Sequence, residues 1–511
     1  VDEAFLRADN IARKLAGARD GVLRAVGDRL RSLSGAGESG EPLIATRMRG
    51  GVALDDGWVR DPSRPAVITS TVDQVGSRLL FRGYGRSARV AAIDAGLVGN
   101  DALFILDEAH CAVPFSQTLA AVQEYRSRRW AEYPVLSPFR AVVMSATPPE
   151  DIAADDVFPS GEERARALDA ERLARRIKAV KRTELAVARA PRRPRKGEPG
   201  LRGDRYSDDP LVLDAADRAL RAAAAGPRRI AVMVNRVATA RAIWKQLRAE
   251  TRSEDSPIEA DIVLLTGRMR PYDRDRIVRR WENLLAAKED QEALERPVIL
   301  ITTQCLEVGA DFSFDVLITE CASLDALRQR FGRLDRLGVA ERTEAAILIR
   351  PGQARTPQQI EKLEEAGRAD DPIYGNALAA TWNWLLEHAE ADEAGARWID
   401  MGIEGLESHF PTGAEARRHF LGRLSAPAPK APAMLPAHLD LWVQTSPRPR
   451  PDPDITCFLH GRDRGEPEVT VVIRSDLLPV TEFDDEHSRH PWIQAISLLP
   501  QAPPGLVESV Q

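Results

Sequence analysis

Asp107, Glu108 and His110 stand directly after a short apolar run, Leu103-Phe104-Ile105-Leu106. A run of that length reads as a strand buried on both faces, the kind found in parallel sheets. In such sheets chemistry gathers at the carboxyl ends of the strands, where these acids fall. An Asp followed by a Glu at that point suits a nucleotide site. The Asp can hold Mg²⁺, usually through water, and the Glu can polarise a water for attack on a γ-phosphate. A solvated acidic turn gives the same letters, so the rest of the chain has to decide.

The elements needed to position these acids are legible nearby. Val1 to Leu33 has a helical pattern. Pro42–Thr46, Pro65–Thr69 and Phe139–Met144 are short strands, ending in Arg47-Met48-Arg49-Gly50-Gly51, Ser70-Thr71-Val72-Asp73-Gln74 and Ser145-Ala146-Thr147. Strands that each end in small, hydroxylated or charged residues predict a doubly wound α/β sheet with its working edge at those ends. Residues 151–207 break the pattern: a charged helix over Glu162–Arg182, then the Pro- and Arg-rich run Arg189–Gly197, which reads as a linker. A second α/β unit begins near Leu211. Its strands are Ile230–Val234, Ile262–Leu265, Val298–Ile301, Val316–Ile318 and Ala346–Ile349, ending in Asn235-Arg236, Thr266-Gly267-Arg268, Thr302-Thr303-Gln304 and Thr319-Glu320 for the first four. After about residue 370 the period is helical, and Pro dominates from Ala426 to Pro453.

Composition bounds the class. With 511 residues, 43% hydrophobic and 29% charged, the chain has the content of about three globular domains. A net charge of −6 does not announce nucleic acid, although a local channel can still be basic. Cys111, Cys305, Cys321 and Cys457 form no CxxC pair, which fits a reducing compartment and gives no zinc framework. No apolar run approaches 18 residues, so a soluble cytoplasmic protein is expected.

Three motifs in order then carry a resemblance. Asp107-Glu108-Ala109-His110 matches the DEAH box, and Ser145-Ala146-Thr147, 38 residues further on, matches the SAT motif. Gln329, Gly332, Arg333 and Arg336 match the QxxGRxxR arginine-finger motif. Together they resemble a superfamily 2 helicase. Met48-Arg49-Gly50-Gly51, the stretch Thr71–Gly85, Pro114-Phe115 after the DEAH box, and Val234–Ala240 look most like the CRISPR-associated helicase–nuclease of type I systems, the Cas3 family. The tail pieces Trp442–Pro447 and Phe458–Gly461 look like subtype I-U or I-G. The resemblance implies two RecA-like domains with ATP in the cleft between them and a DNA strand across the top. It divides the chain into a RecA-like domain 1 (1–150), the linker (151–207), a RecA-like domain 2 (208–370), a helical accessory region (371–445) and a small C-terminal region (446–511).

The resemblance also implies roles. Asp107 holds Mg²⁺–ATP through water, Glu108 orients the attacking water, and His110 belongs to the same catalytic group. Gln329, Arg333 and Arg336 act at the γ-phosphate, where fork-shaped, permanently charged side chains stabilise transition-state charge. Gly309 and Asp311, with Glu307, fit the motif linking the ATP and strand sites. Ser145, Ala146 and Thr147 couple the two. Thr46, Arg49, Gly50, Thr71, Gln74, Asn235, Arg236, Thr266, Gly267 and Thr303 form a nucleic-acid face that meets phosphates without reading bases. The implied function is an ATP-dependent single-stranded DNA translocase and helicase, monomeric, without membrane attachment, recruited by a CRISPR surveillance complex.

Two departures qualify this. No Gly-Lys dipeptide occurs, so the GxxxxGK[ST] phosphate loop is missing. The expectation is an N-terminally truncated fragment, inactive alone. No His-Asp dipeptide occurs either, and the one acid–histidine cluster, Asp484–His490, reads as a polar loop rather than ligands. No metal-dependent DNA cleavage is expected from this chain alone. The rival readings are another superfamily 2 motor, of restriction or repair, and a non-hydrolysing nucleic-acid-binding scaffold.

Overall fold

The structure is a computed structural model that describes residues 1–35, 40–49, 56–133, 135–145, 166, 170–192, 198, 200–201, 206–252, 258–307, 311–340 and 343–462. It is mixed α/β with parallel-rich sheets, the class expected from the sequence. The chain divides into two compact units, Val1–Ser145 with Ala428–Gln511, and Ala146–Pro427.

In the first unit, helices α1 (Asp2–Gly17) and α2 (Gly21–Ser34) precede strand β1 (Ile44–Met48), which pairs in parallel with β2 (Ala66–Ser70). Helix α3 (Val72–Leu79) leads on to β3 (Ala102–Asp107), which is followed by α4 (Val113–Tyr125) and then β4 (Phe139–Met144). β3 and β4 pair in parallel, setting Asp107 opposite Met144. Phe104 and Leu106 pack with Phe115, Leu119 and Phe139 in the core of this unit. The other face differs from expectation. Leu103 and Ile105 are 62% and 61% exposed, and Val142 and Met144 beside them are 50% and 45% exposed. The apolar run is real, but among the described residues only one face of β3–β4 is covered.

The chain returns to this unit at its far end. Trp442, Phe458 and Leu459 join the core of α3 and α4. Arg82 donates to Asp452 at 2.8 Å and to the Trp442 carbonyl at 2.8 Å, and Thr118 donates to the Phe458 carbonyl at 2.6 Å. A Cβ at Gly76 would sit 2.5 Å from Leu459 Cδ2 and 3.0 Å from Phe115 Cε2, so a larger residue there requires these side chains to shift.

The second unit is built on an eight-stranded sheet of order β11-β12-β5-β10-β9-β6-β8-β7. Its strands are β5 (Arg182–Val187), β6 (Arg229–Met233), β7 (Asp261–Leu265), β8 (Val298–Thr302), β9 (Val316–Glu320), β10 (Glu344–Ile349), β11 (Glu390–Ala391) and β12 (Arg397–Asp400). From β5 to β7 every pairing is parallel, and β12 closes on β5 antiparallel. β6, β8 and β9 are buried throughout, as central strands of a parallel sheet must be. Alternate residues feed two cores. Ile230 and Val232 face the layer of α6 (Pro210–Ala224) and α7 (Val237–Arg252), preceded in the chain by α5 (Glu171–Lys178). Ala231 and Met233 face the layer of α8 (Pro271–Leu285), α9 (Leu324–Phe331) and α10 (Ala377–His388).

The sequence-based boundaries shift in three places. Within 151–207, Arg182–Val187 is strand β5, hydrogen-bonded between β10 and β12; a charged, single-strand segment has too little periodicity to separate from a linker. Among the described residues its helix ends at Lys178 rather than Arg182. The region 371–445 is split between the units and contains β11 and β12. Asp484–His490 and Val469–Ile473 lie outside the described residues.

Candidate nucleotide and nucleic-acid site

The parallel register of β3 and β4 carries the two motifs of the first unit to adjacent strand ends. The Glu108 N–H donates to Asp107 Oδ1 at 3.0 Å, closing a tight turn at the end of β3. Glu108 sits at φ +50°, in the left-handed region. Such a conformation in a residue with a Cβ costs energy and is concentrated at functional sites. It turns the chain into the short helix Ala109–Cys111 and swings His110 across to β4. There His110 Nδ1 lies 3.0 Å from Ser145 Oγ and 3.4 Å from Glu108 Oε2. Glu108, His110 and Ser145 are therefore one contact group, joining the DEAH and SAT segments. Ala146 and Thr147 lie outside the described residues. Asp107 offers a carboxylate at a strand end, a donor set that fits Mg²⁺ held by one carboxylate, waters and substrate phosphates. Among the described residues, no group of three or more His, Cys, Asp or Glu side chains could hold a metal ion.

The remaining first-unit residues are more committed than their letters suggest. Thr46 is buried, with 0% exposure, so its side chain is not an open phosphate contact. Arg49 pairs with Asp2 at 2.9 Å, beside Arg47 on the other Asp2 oxygen at 2.8 Å. Thr71 stands at the N-cap of α3, and the Gln74 amide oxygen accepts from Arg78 at 2.8 Å. Gly50 lies outside the described residues.

In the second unit the ends of β6, β8 and β9 converge on a buried guanidinium the motif reading passed over, Arg330. Its side chain is 1% exposed. It donates to Glu307 Oε1 (2.8 Å), Thr319 Oγ1 (2.9 Å), the Glu320 carbonyl (2.8 Å), Asn235 Oδ1 (2.8 Å) and the Tyr374 hydroxyl (3.0 Å). Burial works against its charge, but Tyr374 and Glu307 hold its pKa above the ordinary value. Burial pushes the Tyr374 hydroxyl up as well, against the pull of Arg330. Gln304 ties in through the Asn235 carbonyl at 2.9 Å and Tyr374 at 3.2 Å. A fully bonded buried ion pair of this kind fixes geometry rather than adding much net stability.

Asn235 accordingly works inside the unit. Its backbone N–H donates to Glu320, its amide donates to the Cys321 carbonyl, and its oxygen serves Arg330. Thr266 and Thr303 are also buried, at 4% and 5% exposure, because strand ends in a doubly covered sheet are themselves enclosed. Gly267 is exposed, and Arg236 pairs with Asp371 at 3.4 Å. Arg333 is buried, with Nε on the Leu306 carbonyl at 3.1 Å and Nη2 on the Glu307 carbonyl at 2.8 Å. Arg336 pairs with Asp311 at 2.7 Å, bringing those two site candidates together. Gln329 is half-buried on α9, and Gly309 lies outside the described residues. Of the sequence signals, only the order Gln-Arg in the motif pointed at Arg330.

Parts of the chain are similar to known proteins. Residues 227–338 match the family model described as CRISPR-associated nuclease/helicase Cas3, C-terminal. A CRISPR-associated helicase Cas3 of Thermoproteus tenax is 33% identical over 152 residues, covering 30% of this chain and 23% of the relative. A CRISPR-associated endonuclease/helicase Cas3 of Escherichia coli is 28% identical over 235 residues, covering 41% of this chain and 24% of the relative. The crystal structure of T. fusca Cas3-ADP is similar at 16% identity with a TM-score of 0.45, over 76% of this chain and 46% of that one. The chain thus spans about a quarter of the length of these curated relatives. Over these parts of its length the chain is similar to Cas3 helicases.

Proposed function

We propose that this chain is the motor portion of an ATP-dependent helicase that translocates on single-stranded DNA in CRISPR interference. The observation that carries the reading is the contact group Glu108–His110–Ser145 at two adjacent strand ends, which joins a nucleotide motif to a coupling motif. Asp107 would hold Mg²⁺ through water, and the ion would supply positive charge to offset that of the phosphates. Glu108 orients the attacking water. His110 passes a change at Glu108 to Ser145 through their shared contacts. Arg333 and Arg336 supply cationic charge to the γ-phosphate. Arg336 already holds the carboxylate of Asp311, so engaging a phosphate exchanges one anion for another. Gly267 and Arg236 are the accessible strand-end groups for a nucleic-acid backbone, whose binding is sequence-tolerant and salt-dependent. Recruitment by a CRISPR surveillance complex, action as a monomer and a cytoplasmic location belong to the same proposal.

The absent Gly-Lys dipeptide favours a second reading, a non-hydrolysing nucleic-acid-binding scaffold. One experiment separates them: ATP hydrolysis with and without single-stranded DNA, on this chain and on a chain extended upstream. We expect hydrolysis by the extended protein, stimulation by DNA, and a loss of roughly a hundredfold or more in Glu108→Gln. DNA binding without turnover in the extended protein would establish the scaffold instead.

A further inference from the structure

Lys181 lies outside every motif, in the turn between α5 and β5, yet its side chain is only 5% exposed. Its Nζ donates to the Phe331 carbonyl at 2.7 Å. Phe331 is the last residue of α9; its carbonyl also accepts from the Leu334 N–H at 3.2 Å, and a helix C-terminus favours a cation. The next residues are Gly332-Arg333-Leu334-Asp335-Arg336. On one side this loop is laced to Phe314, through Phe314 N–H to the Arg333 carbonyl and Asp335 N–H to the Phe314 carbonyl, both 2.9 Å. On the other side it rests on α5. Gly338, at φ +68°, comes so close that a Cβ there would meet the Arg175 carbonyl at 2.6 Å. Lys181 is itself pinned, its N–H donating to Asp400 on β12 at 2.8 Å.

We propose that Lys181 is a positioning residue that sets the register of the Arg333–Arg336 loop by holding the end of α9. The inference rests on the helicase reading for its functional meaning, but its structural content stands apart. An ammonium at this depth is an unfavourable choice for packing alone, since an apolar side chain would fill the space without desolvating a charge. The charge faces Asp335 and Arg336 on the loop, Asp400 on β12 and Arg176 on α5. Burial pulls its pKa down to about 8, against the attraction of Asp335. The charge that grips the helix end is thus lost just above neutrality. From that value up to 10.5 the unfolded chain binds the extra proton. Global stability attributable to Lys181 therefore rises with pH over that window. Protection of the loop should instead fall as the pH passes through about 8, where the native charge is lost. A lysine with a merely structural role would move both together.

The test is hydrogen exchange, followed by mass spectrometry, on the 511-residue chain as wild type, Lys181→Met and Lys181→Gln. In K181M we expect peptides over 332–340 to exchange about tenfold faster, with those of β6 and β8 unchanged. K181Q, which keeps a donor without the charge, should fall between. Wild type, corrected for intrinsic rates, should approach K181Q as the pH rises through about 8, where Lys181 loses its proton. Unchanged loop protection in both variants overturns the proposal. If K181M does not fold, the K181Q comparison and the wild-type pH series decide. In the extended protein, K181M should lower kcat for ATP while leaving KM in place. A wild type that never hydrolyses ATP would sink the helicase reading and leave the exchange result to judge Lys181 alone.

Discussion

Arg330 shows what a residue in this motif does when it is not offered to a ligand. Its five donors are spent on groups from four separate segments, so it sets the relative positions of β6, β8, β9 and the Tyr374 turn. A lysine keeps the charge but not the planar fork. Arg330→Lys should therefore leave Asn235 and Tyr374 short of partners. Breaking a buried pair of this sort typically costs about 3–5 kcal/mol. Denaturant unfolding of the variant measures it, and a loss under about 1 kcal/mol would show that the network relaxes without cost. Arg333 and Arg336 were picked out as candidates by their motif spacing. Arg330 was not, because a buried and an exposed arginine have the same letter until the strands around them are placed.

At the scale of elements, the covered and bare faces of β3–β4 matter most. Leu103, Ile105, Val142 and Met144 form an exposed apolar patch on a two-stranded sheet. Patches of this kind, beside open strand edges, promote association. Leu103→Thr with Ile105→Thr should lower self-association of the chain, seen as a shift toward monomer in light scattering, with the far-UV spectrum retained. No change in mass distribution would mean that the patch is not sticky in solution. The strand itself was plain from its apolar run and abrupt acidic end. Its one-sided burial was not, since a run apolar at every position carries no alternation to say which face is covered. β5 was missed for the converse reason: Glu184 pairs with Arg218 at 2.7 Å, so a charged residue sits inside a sheet strand because its partner lies on α6.

At the scale of the molecule, the first unit is completed by residues more than 300 positions away. Trp442, Phe458 and Leu459 are almost wholly buried against α3 and α4, and Tyr125 donates to the Met434 carbonyl at 2.7 Å. Each large apolar side chain so buried contributes about 1.5–3 kcal/mol. Several together are comparable with the roughly 5–15 kcal/mol that holds a domain folded. Truncation after Pro427 should therefore remove the first unit's cooperative thermal transition while that of the second unit survives, read by calorimetry. Retention of two transitions would show that the first unit closes its core unaided. Among the described residues, no helix is long and apolar enough to cross a membrane.

The sequence by itself determined the α/β class, the strand ends on which chemistry would gather, and the order of three motifs. These depend on local patterning, which survives without knowledge of the fold. Only the tertiary structure decided which of those polar residues face outward. Asn235, Thr266, Thr303 and Arg333 are enclosed, while Gly267 is open. It alone joined His110 to Ser145 through the parallel register of β3 and β4, and Lys181 to the end of α9. Burial and hydrogen bonding are properties of neighbours distant in the chain, and no spacing along one segment records them.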